Sequence, residues 1–514
     1  MNSRDGAHIS VWQQTVEAFK IRANNTVQKK YDVIIAGGGI TGISTALALQ
    51  KAGLKCLVLE SHHLCYGTTG GTTAHINTIM DVPYSTMIKK FNLETASNIA
   101  TASRDAISHI SNNVSQYTID CGFQLTDAYL FAKDEKQEKE LDDIKHACDK
   151  VGVASQWTDK INVPIAFRKA MFIPGQAKFH PVRYVHALAT AFEDLEGVIL
   201  DKCPLTSVEN ESDTGVIVET PKGSFEATYL IYATHIPPTI NLVHLRCAPY
   251  RSYAMAFRLK GEKYPEGLAY DMYDPYHYYR TQEIDGQKYF IVGGDDHKTG
   301  HEPNTVKPFL SLESHVRSNF DVDAVTQQWS SQYYEPADGL PYIGVFPGHK
   351  KNVLVATGFG GNGMTYGTIA AQLFEAKILE KPHPLIDKLA PGRIKPVAGF
   401  KNFTEHNLDV FKQLIQKVFK GSEAHEFVEV APGEGKIFKV EGQSIGVHKD
   451  DNGAIHTVNA KCTHMGCTVA WNLTERSWDC PCHGARFSPD GKVLNGPADK
   501  DLEYANLELI NAIK

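Results

Sequence analysis

The chain has 514 residues, enough for roughly three or four average domains, and its formal net charge is −7 at pH 7. This mildly acidic balance, without a basic block, argues against a nucleic-acid partner. No window reaches about eighteen apolar residues and the first residues do not look like a signal peptide, so we expect a cytoplasmic protein with no membrane span. Ten cysteines scattered over this length are not typical of a disulfide framework.

Residues 1–30 contain one short amphipathic pattern, over 11–21, and no residue with an obvious chemical role. Such a pattern is typical of a short segment that covers apolar surface elsewhere in the molecule. We therefore predict an N-terminal arm that packs against the rest of the protein.

A dinucleotide-binding unit is predicted next. An apolar strand over 31–36, a glycine turn, a helix through 46–49 and a second strand over 55–60 form a βαβ pattern. The turn fits Gly-x-Gly-x-x-Gly, whose glycines allow a tight turn, close approach of a pyrophosphate and helix packing, while an acid after the second strand binds a ribose. The predicted contacts are Gly37, Gly38, Gly39, Ile40, Thr41, Gly42, Glu60 and Ser61.

The same glycine pattern recurs at residues 358–363, after a predicted strand over 352–356 and before a helix from Met364 to about Leu379. No second strand ending in an acid follows, so the βαβ unit is not completed. We interpret this turn as a helix N-terminus that points at the same cofactor and stabilises negative charge on it. Its predicted contacts are Gly358, Gly360, Gly361, Asn362, Gly363 and Met364.

The composition changes after residue 390. A Pro/Gly-rich stretch leads into a predicted helix over 408–420, which Gly421 ends, so residues 396–423 are predicted to be a linker helix. Short alternating runs, such as 426–430 and 436–440, are separated by turn signals at 432–433 and 451–453. These features predict a small antiparallel β domain over 424–514.

Two Cys/His pairs lie within this β domain, and fifteen residues separate them. Cys462 and His464 form one pair, and Cys480 and His483 form the other. A dinuclear iron–sulfur centre with two thiolates on one iron and two imidazoles on the other takes one ligand of each kind from each loop. Structural zinc uses the same residue types at similar spacing, so the residues alone leave both metals open.

From residue 31 to 393 the chain resembles the glycine/D-amino acid oxidase family of FAD enzymes. Besides the glycine turns, the similar stretches are 67–74 (Gly-Thr-Thr-Gly-Gly-Thr-Thr-Ala), 229–235 and 338–344. The resemblance implies a Rossmann-type α/β FAD domain (about 31–83, 166–248 and 330–395) with an interleaved α+β substrate domain (about 84–165 and 249–329). It adds five predicted FAD contacts, which are Thr68, Thr69, Thr73, Ala233 and Thr234.

The C-terminal pairs resemble those of Rieske [2Fe-2S] proteins. Cys467 and Cys482 occupy the positions of a disulfide in the respiratory members, and the stretch 496–498 matches the proline loop that covers their cluster. The resemblance thus implies a cluster bound by the two Cys/His pairs and a Cys467–Cys482 disulfide, and it makes zinc the minor alternative. Ala485 and Phe487 stand where the respiratory proteins have side chains that donate hydrogen bonds to sulfur atoms of the cluster and its ligands. We therefore expect a reduction potential below that of the respiratory Rieske proteins.

Substrate contacts are predicted on the strand that contains residues 276–280. Relatives use an arginine in such a strand to bind a substrate carboxylate bidentately. Alternation places Tyr278 and Arg280 on one face of the strand, and His277 and Tyr279 on the other. Tyr278 and Arg280 are therefore the catalytic candidates, with a surface arginine on an aromatic-rich edge as the alternative.

The resemblance implies a dehydrogenase that oxidises a C–N bond of a small amine or amino acid. Electrons would leave the reduced flavin through the Rieske cluster to an external acceptor. Two alternatives stay open: a flavin reductase or hydroxylase fed by an external electron donor through the cluster, and a non-catalytic redox sensor or conduit. The stretch 295–301 superficially resembles a two-histidine, one-carboxylate iron site, but its position fits the flavoprotein pattern.

We predict that the flavin is bound non-covalently. Relatives that link FAD to the protein use a histidine in the Gly-Thr-Thr stretch or a cysteine near the late glycine turn. These positions are Gly71 and the pair Gly360 and Gly361 here, although His75 lies nearby. Acid precipitation should leave the yellow colour in the supernatant, and colour in the protein pellet would show that the prediction is wrong.

Overall fold

The computed structural model describes residues 4–22, 25–393, 430–440 and 442–505. The predicted linker helix and most of the strand predicted over 426–430 lie outside these ranges. None of the described helices combines the length and the apolar composition that a membrane crossing requires.

The α-helices of the described chain have the following bounds: α1 (Val11–Gln14), α2 (Ile40–Lys51), α3 (Thr68–Gly71), α4 (Tyr84–Lys90), α5 (Leu93–Gln116), α6 (Glu135–Val151), α7 (Pro181–Asp194), α8 (Lys307–Asn319) and α9 (Gly363–Ile378). The first half of the strands comprises β1 (Lys30–Ala36), β2 (Cys56–Leu59), β3 (His75–Ile76), β4 (Gln124–Ala132), β5 (Gln156–Thr158), β6 (Lys169–Lys178), β7 (Val198–Leu200), β8 (Ser207–Glu209), β9 (Val216–Thr220), β10 (Gly223–Tyr232), β11 (Cys247–Leu259) and β12 (Leu268–Asp271). The second half comprises β13 (His277–Ile284), β14 (Gln287–Lys298), β15 (Val322–Pro336), β16 (Tyr342–Val345), β17 (Val353–Thr357), β18 (Gly435–Val440), β19 (Gln443–Lys449), β20 (Ile455–Asn459), β21 (Ala470–Asn472), β22 (Ser477–Asp479), β23 (Arg486–Phe487) and β24 (Val493–Asn495).

The first sheet contains the predicted nucleotide-binding unit. Its order is β16-β17-β10-β1-β2-β7, with β9 and β8 attached beside β10. Strands β17, β10, β1, β2 and β7 pair in parallel, and Val33, Ile34 and Ile35 of the central β1 are fully buried. Both faces of a parallel sheet are normally covered, which explains this continuous apolar run. The N-termini of α2 and α9 follow β1 and β17, so both helices begin at the edge where parallel sheets bind ligands.

The second sheet builds the opposite wall. Its order is β15-β11-β14-β13-β12-β4-β6-β3, and β5 pairs with β6. The long central pairings are antiparallel: β11 lies between β14 and β15, and β13 joins β12 to β14. Helix α8 packs on β11 and β14, where Phe309, Leu312 and Val316 join a buried apolar cluster. Strands β4, β5, β12, β13 and β14 lie within the ranges predicted for the substrate domain, whereas β3 and β6 lie in ranges predicted for the FAD domain.

The C-terminal part is all β. Strands β18, β19 and β20 form one small sheet, and β21 to β24 form another in sequence order. Trp478 and Phe487 are fully buried between the loops that contain the cysteines. The flavoenzyme-like α/β and α+β parts followed by a small β domain confirm the predicted fold class.

The N-terminal residues fill the boundary between the β domain and the rest of the chain. Helix α1 is only one turn long, much shorter than the amphipathic pattern over 11–21. Before it, Arg4 bonds through Nε to Asn495 Oδ1 at 2.8 Å, and its main-chain oxygen accepts a bond from Arg486 at 2.8 Å. Nothing in the local sequence pattern indicated this role, because it depends on residues more than 480 positions away.

A buried charge network holds the same boundary together. Arg486 Nε donates to Asp479 Oδ1 at 2.8 Å, and Arg251 Nε of β11 lies 3.9 Å from Asp479 Oδ2. Both guanidinium groups are fully buried, and so is the carboxylate of Glu475, which accepts a bond from Ser330 at 2.6 Å. Burial alone would raise the pKa of Asp479, but Arg486 and Arg251 overcome it and hold the pKa below its usual value. The β domain is thus joined to the second sheet by paired charges that water does not reach.

We expect Asp479→Asn to destabilise the protein by about 3 kcal/mol, because it leaves two buried guanidinium groups without their carboxylate. Chemical denaturation at neutral pH would measure the change. The matched control is Asp323→Asn, which removes an exposed partner of Arg258 and should cost less than about 1 kcal/mol.

Iron content should be measured in both variants, so that loss of a cluster is not mistaken for loss of the charge network. An Asp479→Asn protein with its metal retained and its stability unchanged would contradict the account.

Candidate active site and metal centre

A cavity of about 740 Å³ opens at the ligand-binding edge of the first sheet and extends along the second sheet to the β domain. Most of the predicted cofactor contacts line it. They are Gly37, Gly38, Gly39, Ile40, Thr41, Glu60, Ser61, Thr68, Thr69, Thr73, Ala233, Thr234, Gly360, Gly361, Asn362, Gly363 and Met364. Gly42 and Gly358 do not line the cavity, so their role is in the shape of the two backbone turns.

The glycine turn is shaped as a close-approach surface. A Cβ atom at Gly42 would collide with the carbonyl oxygen of Gly37, and Gly37 itself has a φ of +113°, which favours glycine. A Cβ atom at Gly39 would lie 2.8 Å from the Thr69 hydroxyl. The start of α2 therefore has no room for side chains at these positions, and its backbone is exposed to a ligand. A pyrophosphate fits there, because it accepts hydrogen bonds from a helix N-terminus.

Glu60 lies at the end of β2, where the sequence predicted a ribose-binding acid. Its Oε2 accepts the amide hydrogen of Gly38 at 2.7 Å, and its Oε1 accepts that of His62 at 2.8 Å. Burial raises the pKa of Glu60, while these two hydrogen bonds act against the rise. The carboxylate is therefore fixed beside the glycine turn, as an acid that binds ribose hydroxyls must be.

The second glycine turn is held by an acid that the sequence did not single out. Asp81 Oδ2 accepts the amide hydrogen of Gly361 at 2.6 Å, and the Asp81 amide donates to Asn362 Oδ1 at 2.9 Å. Burial raises the pKa of Asp81 to about 6. This contact places a carboxyl group next to the N-terminus of α9.

Arg280 lies elsewhere than the carboxylate-binding prediction requires. It is fully buried, and its NH1 donates to the main-chain oxygens of Thr73 at 2.8 Å and Ala74 at 2.6 Å, while NH2 donates to Phe179 at 3.3 Å. Burial lowers the pKa of Arg280 to about 9. The guanidinium group supports the 73–74 loop from behind and is not part of the cavity lining, so the geometry does not support a carboxylate clamp.

Tyr278 does line the cavity, and its hydroxyl lies 2.9 Å from that of Ser252. The predicted alternation of the strand is confirmed, because His277 and Tyr279 point the other way and both bond to Asp271 at 2.9 Å. The neighbouring stretch 295–301 does not assemble an iron triad: Asp296 faces the cavity, whereas His297 Nε2 bonds to Tyr253 at 2.8 Å.

A further part of the cavity is lined by residues that were not predicted as site residues. Tyr276 and Tyr333 donate their hydroxyl hydrogens to Asp296 Oδ2 at 2.9 and 2.8 Å. His75 Nδ1 lies 2.7 Å from the Tyr270 hydroxyl. Burial and the nearby charges of Arg280 and Lys178 hold the pKa of His75 well below its usual value, so this ring is neutral.

The two Cys/His pairs come together in matching turns. The amide of Cys462 donates to Cys467 O at 2.8 Å, and the amide of Cys480 donates to Ala485 O at 2.8 Å. The thiols of Cys462 and Cys480 adjoin each other, and the rings of His464 and His483 have centroids 5.0 Å apart. Cys467 and Cys482 form a disulfide between the two turns.

The donor set fits a Rieske cluster. His464 Nδ1 is buried and has no hydrogen-bond partner among the described residues, as a nitrogen reserved for iron would be. Its other nitrogen, Nε2, lies 3.1 Å from His244 Nδ1, and His244 Nε2 lies 2.8 Å from the oxygen of Pro237. Because a carbonyl only accepts, His244 must donate through Nε2 and accept through Nδ1. The proton of His464 therefore sits on Nε2, which leaves Nδ1 available for a metal.

Strand β15 borders both the cavity and the cluster turns. Trp329, Ser331, Gln332 and Tyr333 of β15 line the cavity, which residues 493–496 and 498–500 of the β domain also line. The side chains of Gln332 and Tyr334 reach the β domain, where Gln332 Nε2 donates to Gly484 O at 2.9 Å and the Tyr334 hydroxyl donates to His483 O at 3.3 Å. Alternation along a strand thus directs neighbouring side chains to the two candidate sites.

Comparisons with known proteins agree with both candidate sites, the FAD cavity and the cluster turns. The model of the family "FAD dependent oxidoreductase" matches residues 32–376, and that of "Rieske [2Fe-2S] domain" matches residues 423–506. A relative from Bacillus subtilis (strain 168), "Putative Rieske 2Fe-2S iron-sulfur protein YhfW", is 32% identical over 93% of this chain and 94% of its own length. The cytochrome b6-f complex iron-sulfur subunit of a Synechococcus strain is 51% identical over 58 residues, which are 11% of this chain and 34% of that protein.

Solved structures share the fold of the flavoprotein part. Glycine oxidase from Geobacillus kaustophilus superposes with a TM-score of 0.60 at 16% identity, covering 71% of this chain and all of that one. L-proline dehydrogenase from P. horikoshii gives 0.58 at 16% identity, covering 71% and 98%. FAD and a [2Fe-2S] cluster are the cofactors of the two matched modules, which confirms the cofactors predicted from the sequence. The chain therefore belongs to the FAD dependent oxidoreductase family, and a Rieske [2Fe-2S] domain follows its flavoprotein part.

Proposed function

We propose that this protein is a dehydrogenase that oxidises a C–N bond of a small amine or amino acid and passes the electrons through its Rieske domain to an external acceptor. The observation that carries the proposal is the position of β15, whose side chains face the FAD cavity on one side and the cluster turns on the other. Opposite faces of a sheet are about 10 Å from the layers packed on them. Electrons exchanged between the two cofactors would have a short path, across this strand or through the β-domain residues that also line the cavity, such as Asn495 and Gly496.

The two glycine turns and the late strand are proposed to hold FAD through the lining residues given above, and Cys462, His464, Cys480 and His483 to hold the cluster. When bound, FAD supplies the hydride acceptor for the carbon next to the donor nitrogen, and the Rieske cluster supplies a one-electron carrier. The chain's own task is to orient the donor and to stabilise negative charge beside α9, whose N-terminus lines the cavity.

Tyr334 and His235 connect the two sites. His235 lines the cavity, and its ring meets the ring of Tyr334 edge-on at a centroid distance of 4.8 Å. The Tyr334 hydroxyl then donates to the main-chain oxygen of the proposed ligand His483. A packed aromatic contact and one hydrogen bond thus span from the cavity to the cluster turn.

The activities for which the structural relatives are named support the reaction type. Several are proteins that act on amino acids, among them glycine oxidase, L-proline dehydrogenase and the L-amino acid deaminase from Proteus vulgaris. Each of those names describes chemistry at a carbon bonded to nitrogen. The Rieske domain distinguishes this chain, and it favours transfer to an electron carrier over direct use of oxygen.

Anaerobic addition of amines and amino acids should bleach the flavin absorbance and then produce the electron paramagnetic resonance signal of a reduced Rieske cluster. The control is Cys462→Ala, which removes a proposed cluster ligand: its flavin should still bleach, and no cluster signal should follow.

Flavin that is bleached only by dithionite or a reduced ferredoxin would contradict the dehydrogenase. It would support instead a reductase, a hydroxylase or a redox sensor that receives electrons through the cluster. Rapid stoichiometric peroxide formation with a donor would also count against the proposed electron outlet.

A further inference from the structure

Three carboxyl groups lie near one another at one part of the FAD cavity. Asp296 and Asp81 both line the cavity and lie within electrostatic range of each other. Glu335, a solvent-exposed residue of β15, lies within range of both. Asp296 is half-buried, whereas Asp81 and Glu335 are exposed. Carboxyl groups that lie close together cost free energy to ionise, and a ligand that brings a positive charge removes part of that cost.

Asp296 is also incompletely bonded. Its Oδ2 accepts the hydroxyls of Tyr276 and Tyr333, but its Oδ1 is buried and has no hydrogen-bond partner within normal geometry. Burial raises the pKa of Asp296, and the Ser252 hydroxyl, which also contacts that of Tyr278, is among the groups that act against the rise. Asp296 lines the cavity, but its Oδ1 is covered by protein, so a ligand reaches that oxygen only when a neighbouring side chain moves.

Aromatic rings surround this carboxyl group. The rings of Tyr276 and Tyr278 have centroids 6.0 Å apart, and His75 meets Tyr278 edge-on at 5.6 Å. Tyr333 is stacked on Tyr250 at 5.8 Å, which fixes its orientation. Tyrosine faces attract cations, and several of them around one acid form a site for an ammonium group.

Few residues that line the cavity carry a permanent positive charge. Arg4 and Lys500 are the lining residues of the described chain with a permanent positive charge. Arg4 is bonded to Thr68 and Asn495, and the main-chain oxygen of Lys500 accepts a bond from Thr463 in the β domain. Arg280, which the resemblance suggested as the residue that binds a substrate carboxylate, donates instead to main-chain oxygens behind the cavity wall.

We propose that the electron donor is an amine without an α-carboxylate, which binds as its cation beside Asp296 among the tyrosine rings. The ammonium group passes one proton to the Asp296 carboxylate, and the neutral amine then gives up the hydride from its α-carbon. This inference rests on the proposed function, because it assigns the donor to the same cavity. The carboxylate of an α-amino acid would lie near Asp81 and Asp296. These groups would repel it, and no arginine is placed there to bind it. The site thus selects amines over the corresponding amino acids.

Binding to the oxidised holoenzyme tests this without turnover. The probes are two matched pairs that differ only by a carboxylate: n-butylamine with norvaline, and benzylamine with phenylglycine. Titration calorimetry and the change in flavin absorbance should show each amine binding at least about tenfold more tightly than its amino acid. Asp296→Asn should weaken amine binding by about tenfold or more and remove most of the preference.

The matched control is Asp323→Asn, an exposed acid on the same strand as Tyr333 but far from the cavity lining, which should leave binding unchanged. Tyr276→Phe keeps the ring and removes one donor to Asp296, and it should retain the preference for amines. Amino acids that bind as tightly as the amines, amines that do not bind at all, or an Asp296→Asn protein with unchanged affinities would overturn the inference.

The outcomes separate this inference from the proposed function. Tight, Asp296-dependent amine binding without bleaching by any donor would support the site and contradict the dehydrogenase. Bleaching by amino acids with no effect of Asp296→Asn would support the dehydrogenase and contradict the site.

Discussion

The buried charges between Arg251, Asp479 and Arg486 set the geometry on which the rest of the molecule depends. All three side chains lie out of contact with water, so separating the β domain from the second sheet would expose or unpair them together. The main-chain oxygens of Arg4 and Asp5 extend the network to the N-terminal arm. A Rieske domain fixed in this way stays at one distance from the FAD cavity, which suits a permanent partner better than a mobile shuttle.

Strand β15 contacts both the FAD cavity and the cluster turns. Its alternation gives Tyr333 to the donor end of the cavity and Tyr334 to the cluster turn, with one peptide bond between them. The same strand contains Ser330, which bonds to the buried Glu475 of the β domain. Stability and electron exchange therefore rest on one element, and a change that loosens the boundary should affect both. His244 adds a polar contact at His464, the other proposed histidine ligand, since it accepts the Nε2 proton of His464.

The features that sequence reasoning found are local in the chain. The glycine turn before α2, the acid at Glu60 and the two Cys/His pairs each depend on spacing within a short stretch. The glycine turn and Glu60 line one cavity, and the two pairs lie beside each other. The features it missed depend on distant residues. Arg4 acquires its role from Asn495, and Asp296 from Tyr333 on another strand. Arg280 differs from these residues. The sequence predicted the correct face of its strand, but the 73–74 loop lies between Arg280 and the cavity, and no local pattern predicts where that loop lies.

The central claim is that the flavin and the cluster form one electron-transfer unit within a single chain. Flash reduction of the flavin by a photoexcited deazaflavin tests it without knowledge of the donor, by following flavin and cluster absorbance in time. The account predicts that the cluster is reduced as the flavin is reoxidised, with a first-order rate constant that does not change with protein concentration. A rate that rises in proportion to protein concentration, or a flavin that stays reduced beside an oxidised cluster, would contradict it.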